Sequence, residues 1–224
     1  MPGVVVQEFL PHERTQDWSA YVYCGREPQC FLAFTGRKLR SFPAYTGVTA
    51  EGITTANEEL RERSISFCRA IGFRGVASMD WRLDLLDRTY KLLDFNVRLA
   101  GKFRAFETAQ GVDIVRAMHL DLTGRHVPLG REIQDRRFVA GNIAMAAALT
   151  YRRHRAAETP LVRRPAGGVE RAWFAWDDPL PGLVAAVRSV ALARRIVAPD
   201  LRRGDVHDDG QSPGPVAGSS SRCG

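Results

Sequence analysis

Two apolar segments joined by an acidic turn constrain the fold of this chain most strongly. Residues 75–81 and 90–95 are rich in residues with high β-propensity, and Asp84 and Asp87 lie between them. Short segments of this composition on either side of a turn are typical of antiparallel strands. The sequence therefore predicts a β-hairpin over this region.

Further strands are predicted nearer the N-terminus. Residues 18–24 alternate in polarity and residues 31–34 are apolar, with Gly25 in the turn-like segment between them, which is typical of a second hairpin. Residues 4–10 begin with three valines and stop at Pro11, so we also expect a short buried strand there.

Two helices are indicated by capping patterns. Thr55 is followed three positions later by Glu58, which is a capping box, and the helix that begins there is expected to end at Gly72. A second helix is predicted over residues 113–122, with Asp113 as its N-cap. Strand pairs combined with helices predict an α+β fold in which a mostly antiparallel sheet carries its helices on one face.

Composition divides the chain into three predicted parts. Residues 1–124 contain the strands and helices described above, and residues 125–198 are expected to form an accessory, mainly helical extension. Residues 199–224 are rich in Gly, Ser, Pro and Asp, which is typical of a disordered tail.

Residues 183–196 have apolar residues at helical spacing beside several arginines. We favour packing of this helix on its own domain over contact with an anionic membrane or a partner.

The charge and hydropathy of the sequence indicate which partners and which cellular location to expect. The formal net charge is +7 at pH 7, but basic and aromatic residues do not interleave in a nucleic-acid-binding motif, so no nucleic-acid partner is expected. No stretch of about 18 apolar residues is present, so no membrane span is predicted. Met1 is not followed by a basic region and a hydrophobic segment, so a cytoplasmic location is expected.

Polar residues on the predicted hairpin of residues 75–95 carry the candidate chemistry. Asp80 lies near the end of GVASMDW, and Asp94 and Asn96 lie in KLLDFNVR. Residues i and i+2 of a strand point to one side, so Asp94 and Asn96 present a carboxylate and an amide oxygen together. An antiparallel neighbour would bring Asp80 to the same face. Such oxygen ligands suit Mg²⁺, which takes the rest of its shell from waters and substrate phosphates.

Arg98 is expected on the same side, two residues after Asn96. There it would neutralise a phosphoryl group or hold a carboxylate. Each polar residue of this set, taken singly, is most simply explained as a solvated residue on an open sheet face. These residues all point to one face of the predicted strands, and they follow strongly apolar runs. Both features favour a shared binding site.

Beyond these spacings, the run GFRGVASMDWRLDLLDRTYKLLDFNVRLAGKFRAFE resembles the closing hairpin of ATP-grasp enzymes. In that family an acidic residue on one strand and a Glu-x-Asn-x-Arg pattern on the next bind magnesium-ATP. The segment QEFL, preceded by valines, resembles the hinge that receives adenine between the two ATP-grasp subdomains. The resemblance covers about residues 4–124. Asp94 stands where the family pattern has Glu, and Val97 where Pro is common.

The resemblance implies a role for each candidate residue. Asp80, Asp94 and Asn96 would be the metal ligands, and Arg98 would be a catalytic residue that contacts the phosphate or the acylphosphate. The residues implied to bind the nucleotide are Gln7, Glu8 and Leu10 at adenine, Asp17 near the ribose or the phosphates, and Lys38 and Arg40 over the triphosphate or the substrate carboxylate. The implied cofactors are ATP and Mg²⁺ or Mn²⁺.

The function that the resemblance implies is an ATP- and Mg²⁺-dependent carboxylate-amine ligase. Such an enzyme activates a small carboxylate as an acylphosphate, which an amine-type nucleophile then attacks. We expect residues 1–124 to be the C-terminal part of an ATP-grasp domain, with the lysine-bearing N-terminal part supplied by a longer protein or by a partner chain. The alternative is a catalytically inactive remnant or a binding module that needs a partner chain.

Overall fold

The computed structural model of the chain describes residues 3–4, 6–25, 31–153 and 165–201. These residues form seven strands and four α-helices. The strands are β1 (Thr15–Cys24), β2 (Phe31–Phe42), β3 (Val48–Thr54), β4 (Gly75–Asp84), β5 (Tyr90–Asn96), β6 (Arg137–Val139) and β7 (Val169–Arg171). The helices are α1 (Glu58–Ala70), α2 (Ile114–Leu122), α3 (Gly141–Arg153) and α4 (Leu180–Leu201).

All seven strands belong to one sheet, with the order β5-β4-β1-β2-β3-β6-β7. Every pairing is antiparallel except that of β6 with β7, which is parallel. Both predicted hairpins are present, as β1–β2 and β4–β5, and β1 joins them by pairing with β4. The predicted α+β class and the mostly antiparallel sheet are confirmed.

Helices cover both faces of the sheet rather than the one face that the sequence predicts. Ala20 and Val22 of β1 pack with Leu60 of α1 in one apolar cluster, whereas Tyr21 packs with Ile114 of α2 in another. Successive residues of a strand point to opposite faces, so α1 and α2 lie on opposite sides of β1. The cause is the composition of β1, which is buried on both faces and therefore needs a cover on each.

The N-terminal segment is not the buried strand that its valines predict. Among the described residues before Pro11, none belongs to a strand, and Val4, Val6 and Phe9 expose 85%, 89% and 79% of their surface. Both edges of β1 are already paired, with β2 and β4, so no edge of this strand is open to the segment. Leu10, at the end of this segment, is buried.

Helix α1 begins at a cap other than the predicted capping box. Asn57 is the N-cap, and its side-chain oxygen accepts a hydrogen bond from the Leu60 amide at 3.0 Å. Thr55 is not available as the cap because its backbone is hydrogen-bonded to Thr35 of β2. Helix α2 begins as predicted, since the Asp113 side chain accepts from the Arg116 amide.

The region predicted as a mainly helical extension also contributes strands. Residues 125–198 contain β6 and β7, which extend the sheet beyond β3, as well as α3 and most of α4. Helix α4 includes the predicted helical residues 183–196 and packs against α3. Residues 202–224 of the predicted tail lie outside the described part of the chain. A search of the described helices finds none with the length and apolarity needed to span a membrane.

Replacing the α1 cap tests this account of the fold. Asn57→Ala removes the cap, and we expect the free energy of unfolding to fall by about 1 kcal/mol, as for other N-cap losses. The measurement is urea denaturation followed by circular dichroism. Glu62→Ala, on the exposed side of the same helix, is the matched control. Equal effects of the two substitutions would contradict the assignment of the cap.

Candidate functional site

Strands β4 and β5 bring three predicted site residues to one face of the sheet. Asp80 is directly opposite Asp94, and Ser78 is directly opposite Asn96. Residues opposite each other in an antiparallel pair point to the same face, with Cα atoms about 4.5–5.5 Å apart. Asp80, Asp94 and Asn96 therefore share one face, as the strand parity predicts.

A β-bulge beside Asp94 separates this polar group from the apolar part of β5. Asp80 pairs with Asp94 but Trp81 pairs with Leu92, so Leu93 is the extra residue. Because a bulge changes the direction of the side chains that follow it, Leu92 packs in the apolar cluster with Trp81 under α1, whereas Asp94 lies on the other face. Because of the bulge, β5 contributes Leu92 to the apolar core and Asp94 to the polar site on the opposite face.

Asp80 is held by groups on β1 and β2. Its Oδ1 accepts a hydrogen bond from the Ser19 hydroxyl of β1 at 3.1 Å and lies 3.7 Å from the ammonium of Lys38 on β2. The Asp80 side chain nevertheless keeps 36% of its surface exposed. The carboxylate is therefore fixed in position while it remains accessible from solvent.

The other two oxygen-bearing residues contact each other. Nδ2 of Asn96 donates a hydrogen bond to Oδ2 of Asp94 at 2.5 Å. Asp94 is exposed and Asn96 is half-buried. An amide that donates through its nitrogen keeps its oxygen as an acceptor, so the pair offers amide and carboxylate oxygens side by side.

Lys102 belongs to the same cluster, although its place in the sequence does not predict this. Its ammonium donates hydrogen bonds to Ser19 Oγ at 2.7 Å and to Thr49 Oγ1 at 2.8 Å. Removal from water lowers the pKa of Lys102 to about 7; the negative charge of Asp80 opposes this shift and the positive charge of Lys38 adds to it. The signal available in the sequence is that Lys102 is one of three lysines in an arginine-rich chain and closely follows Arg98.

A buried hydroxyl without a partner lies under the cluster. Tyr21 follows Ser19 on the same face of β1 and is fully buried, with its ring stacked on Phe106 at a centroid distance of 4.7 Å. Its hydroxyl has no hydrogen-bond partner within the described part of the chain. Burial, and secondarily the charge of Asp80, raises the pKa of Tyr21 well above its ordinary value.

Arg98 does not share the strand geometry of the other predicted residues. Strand β5 ends at Asn96, and Arg98 lies in the bend that follows, so the alternation of a strand does not fix its direction. Its side chain is exposed and makes no hydrogen bond or ion pair with any residue that the structure describes. The guanidinium is thus free to contact a ligand.

The predicted adenine hinge is tied to the sheet through Arg82. The guanidinium of Arg82 donates to both oxygens of Asp17, at 2.7 and 3.3 Å, and to the backbone carbonyl of Leu10 at 3.2 Å. Asp17 therefore holds the hinge in place through Arg82. Gln7 is exposed, as is Glu8, whose carboxylate lies 3.2 Å from the ammonium of Lys91.

Lys38 and Arg40 are separated by a break in the regular pairing of β2. The register shifts between them, and Lys38 pairs with Gly52 whereas Arg40 pairs with Glu51. The guanidinium of Arg40 lies 3.4 Å from the Glu51 carboxylate, which also accepts a hydrogen bond from Arg137. The structure thus brings Lys38, but not Arg40, to Asp80.

The possible metal ligands on this face are oxygen atoms, which suit a magnesium ion better than a zinc ion. Among the described residues, no group of three or more His, Cys, Asp or Glu side chains is placed to hold a metal. The face described above instead offers the carboxylates of Asp80 and Asp94 and the amide oxygen of Asn96. Hard oxygen ligands in this small number are typical of Mg²⁺ bound together with a phosphate ligand.

The part of the chain that carries this face of the sheet matches a protein-family model. Residues 48–123, which include β3, α1, β4, β5 and α2, match the family model described as carbamoyl-phosphate synthase L chain, ATP binding domain. The ATP-grasp resemblance is confirmed for this segment. The matched segment contains Asp80, Asp94, Asn96 and Arg98, and it also contains Lys102.

Two solved structures match part of this chain at low sequence identity. Pyruvate carboxylase T882A from Rhizobium etli with acetyl coenzyme A is 15% identical, with a TM-score of 0.43, over 56% of this chain and 13% of that one. N5-carboxyaminoimidazole synthetase from Staphylococcus aureus, complexed with ADP, is 13% identical, with a TM-score of 0.43, over 62% of this chain and 38% of that one. The chain thus spans less than two fifths of either protein. A search of curated proteins found no match.

The lowered pKa of Lys102 gives a testable pH dependence. Because the pKa falls from 10.5 to about 7 on folding, the unfolded chain binds more protons between these values, and the free energy of unfolding rises with pH across this window. We expect Lys102→Met to remove that rise. The measurement is urea denaturation from pH 7 to pH 9.5.

Lys91→Met is the matched control for this experiment. Its pairing with Glu8 raises the pKa of Lys91 above the ordinary value, so stability from this pair is present throughout the tested range and is lost only at higher pH. The control should therefore keep the wild-type slope. Parallel pH profiles of the wild type and Lys102→Met would contradict the burial of this ammonium.

Proposed function

We propose that the sheet face carrying Asp80, Asp94 and Asn96 binds Mg²⁺ and the phosphates of ATP, and that the chain forms part of an ATP- and Mg²⁺-dependent ligase. The observation that supports this most is the register of β4 and β5, which places Asp80 opposite Asp94 with Asn96 beside it. These residues lie inside the segment that matches an ATP-binding domain.

The three oxygen-bearing side chains would hold the divalent cation. Two carboxylates and one amide leave part of an octahedral shell for waters and phosphate oxygens, and Mn²⁺ would fit the same ligands. When bound, the cation would neutralise charge on a transferring phosphoryl group. The side chain of Asp94 is one methylene shorter than the Glu of the family pattern, so it would hold the cation closer to the backbone of β5.

The cations around Asp80 would bind the anionic groups of the reactants. The Lys38 ammonium lies 3.7 Å from Asp80, and the Lys102 ammonium is fixed by Ser19 and Thr49. A phosphate or carboxylate bound here would favour the charged form of Lys102, whose pKa of about 7 lets it gain a proton near neutral pH. The free guanidinium of Arg98 would contact the phosphate or acylphosphate.

The proposed reaction is activation of a small carboxylate as an acylphosphate, followed by attack of an amine-type nucleophile. Residues of this chain would supply positioning and charge stabilisation, which are the main catalytic devices of phosphoryl transfer. The exposed hinge around Gln7 and Glu8, with Leu10 anchored by Arg82, would receive adenine. Residues 1–124 would then form the C-terminal part of an ATP-grasp domain, and residues 125–198 an accessory region.

Substitution of the oxygen-bearing residues tests this proposal. We expect Asp94→Ala and Asn96→Ala each to weaken Mg²⁺-dependent ATP binding by about tenfold or more, since even outer-shell partners of metal sites contribute this much. The measurement is isothermal titration calorimetry with ATP, with and without Mg²⁺. Asp178→Ala, an exposed carboxylate in the loop before α4, is the matched control and should bind like the wild type.

Retention of full Mg²⁺-dependent binding in either Asp94→Ala or Asn96→Ala would remove that residue from the site. Circular dichroism of each variant checks that it folds. When the chain is completed by the N-terminal part of the domain, release of inorganic phosphate from ATP in the presence of both a carboxylate and an amine separates the ligase from the binding module. Binding without such turnover would favour the module that needs a partner chain.

A further inference from the structure

An apolar groove lies at the other edge of the sheet from the site described above. It has a volume of about 320 Å³ and lies between α3, α4 and the segment that includes β7. Its walls include Val139 of β6, Met145 of α3, Val190 of α4, and Trp173 and Phe174 of the loop after β7. A space of this size with mostly apolar walls is typical of a small-molecule site.

The aromatic wall of the groove is held in place by specific contacts. Nε1 of Trp173 donates a hydrogen bond to Oδ1 of Asn142 at 2.8 Å, which fixes the indole against α3. Gly182 lets α4 approach this wall closely, because a Cβ atom there would lie only 3.1 Å from the Phe174 ring and from the Trp173 carbonyl. The groove is therefore defined by packed elements rather than by a single surface side chain.

One charged side chain lines the groove. Arg171, at the end of β7, is the only charged residue among the described residues that form its walls. Its guanidinium lies 5.7 Å from the centroid of the Phe174 ring and, within the described part of the chain, forms no ion pair with a carboxylate. An arginine beside an aromatic ring, without an acidic partner, is suited to bind a planar anion through two parallel hydrogen bonds.

We propose that this groove binds a monocarboxylic acid with an apolar body. The apolar part would lie against Met145, Trp173 and Val190, and the carboxylate would pair with Arg171. Charge complementarity selects this class of ligand, because one cation at the edge of an otherwise uncharged groove matches one anionic group on an otherwise apolar molecule. A neutral ligand of the same shape would leave Arg171 unpaired.

The test uses decanoate as the probe and decan-1-ol as its neutral counterpart. We expect decanoate to bind the full chain with a change in tryptophan fluorescence from Trp173, and Arg171→Gln to weaken that binding by about tenfold or more, as expected for loss of a charge-assisted hydrogen bond. Arg188→Gln removes an exposed arginine of α4 that does not line the groove, and it should leave decanoate binding unchanged. Decan-1-ol should bind wild type and Arg171→Gln alike.

A second pair of variants tests the location of the probe. Ala186 lines the groove and Ala191 is an exposed residue of the same helix outside it, so Ala186→Phe should abolish decanoate binding while Ala191→Phe should not. Circular dichroism establishes that each variant is folded. The proposal is overturned if decanoate does not bind, or if Arg171→Gln and Arg188→Gln have equal effects on its binding. Equal effects of Ala186→Phe and Ala191→Phe would also overturn it.

Discussion

The candidate site depends on the hydrogen-bonded ladder that joins β1, β4 and β5. A shift of one residue in this pairing would move Asp80 to the face covered by α1, since strand side chains alternate between faces. The register is held by apolar residues of β1 and β4 that alternate along the strands with the polar residues of the site. Trp18 lies opposite Trp81, and both are buried with Met79 under α1. The packing of one face therefore determines which oxygen atoms the other face presents.

The balance of charge on that face follows from the same geometry. The Asp80 carboxylate of β4 lies beside the ammonium group of Lys38, and the hydroxyl of Ser19 contacts both Asp80 and Lys102. Desolvation brings the pKa of Lys102 close to neutrality, so its charge responds to whatever binds nearby. This combination of oxygen ligands for a cation and donors for an anion is what a complex of Mg²⁺ with a nucleotide requires.

Local patterns in the sequence were sufficient to predict the hairpins, α2 and the shared face of Asp94 and Asn96, because these features depend on neighbouring residues. Contacts between distant segments were not predictable in this way. Lys102 reaches Ser19 and Thr49 only through the tertiary fold, and the bulge in β2 that separates Lys38 from Arg40 has no local sequence signal. The valines before Pro11 predicted a strand for which the sheet offers no adjacent edge.

The most direct test of the central claim is to locate a bound divalent cation relative to the side chains of this face. We predict that Mn²⁺ with ATP, added in small amounts to isotopically labelled protein, broadens the side-chain amide resonance of Asn96 while those of Asn57 and Asn142 stay sharp. Asn57 caps α1 and Asn142 lies beside Trp173, both outside the proposed metal site. Equal broadening of all three amides, or a sharp Asn96 resonance beside a broadened one elsewhere, would contradict the account.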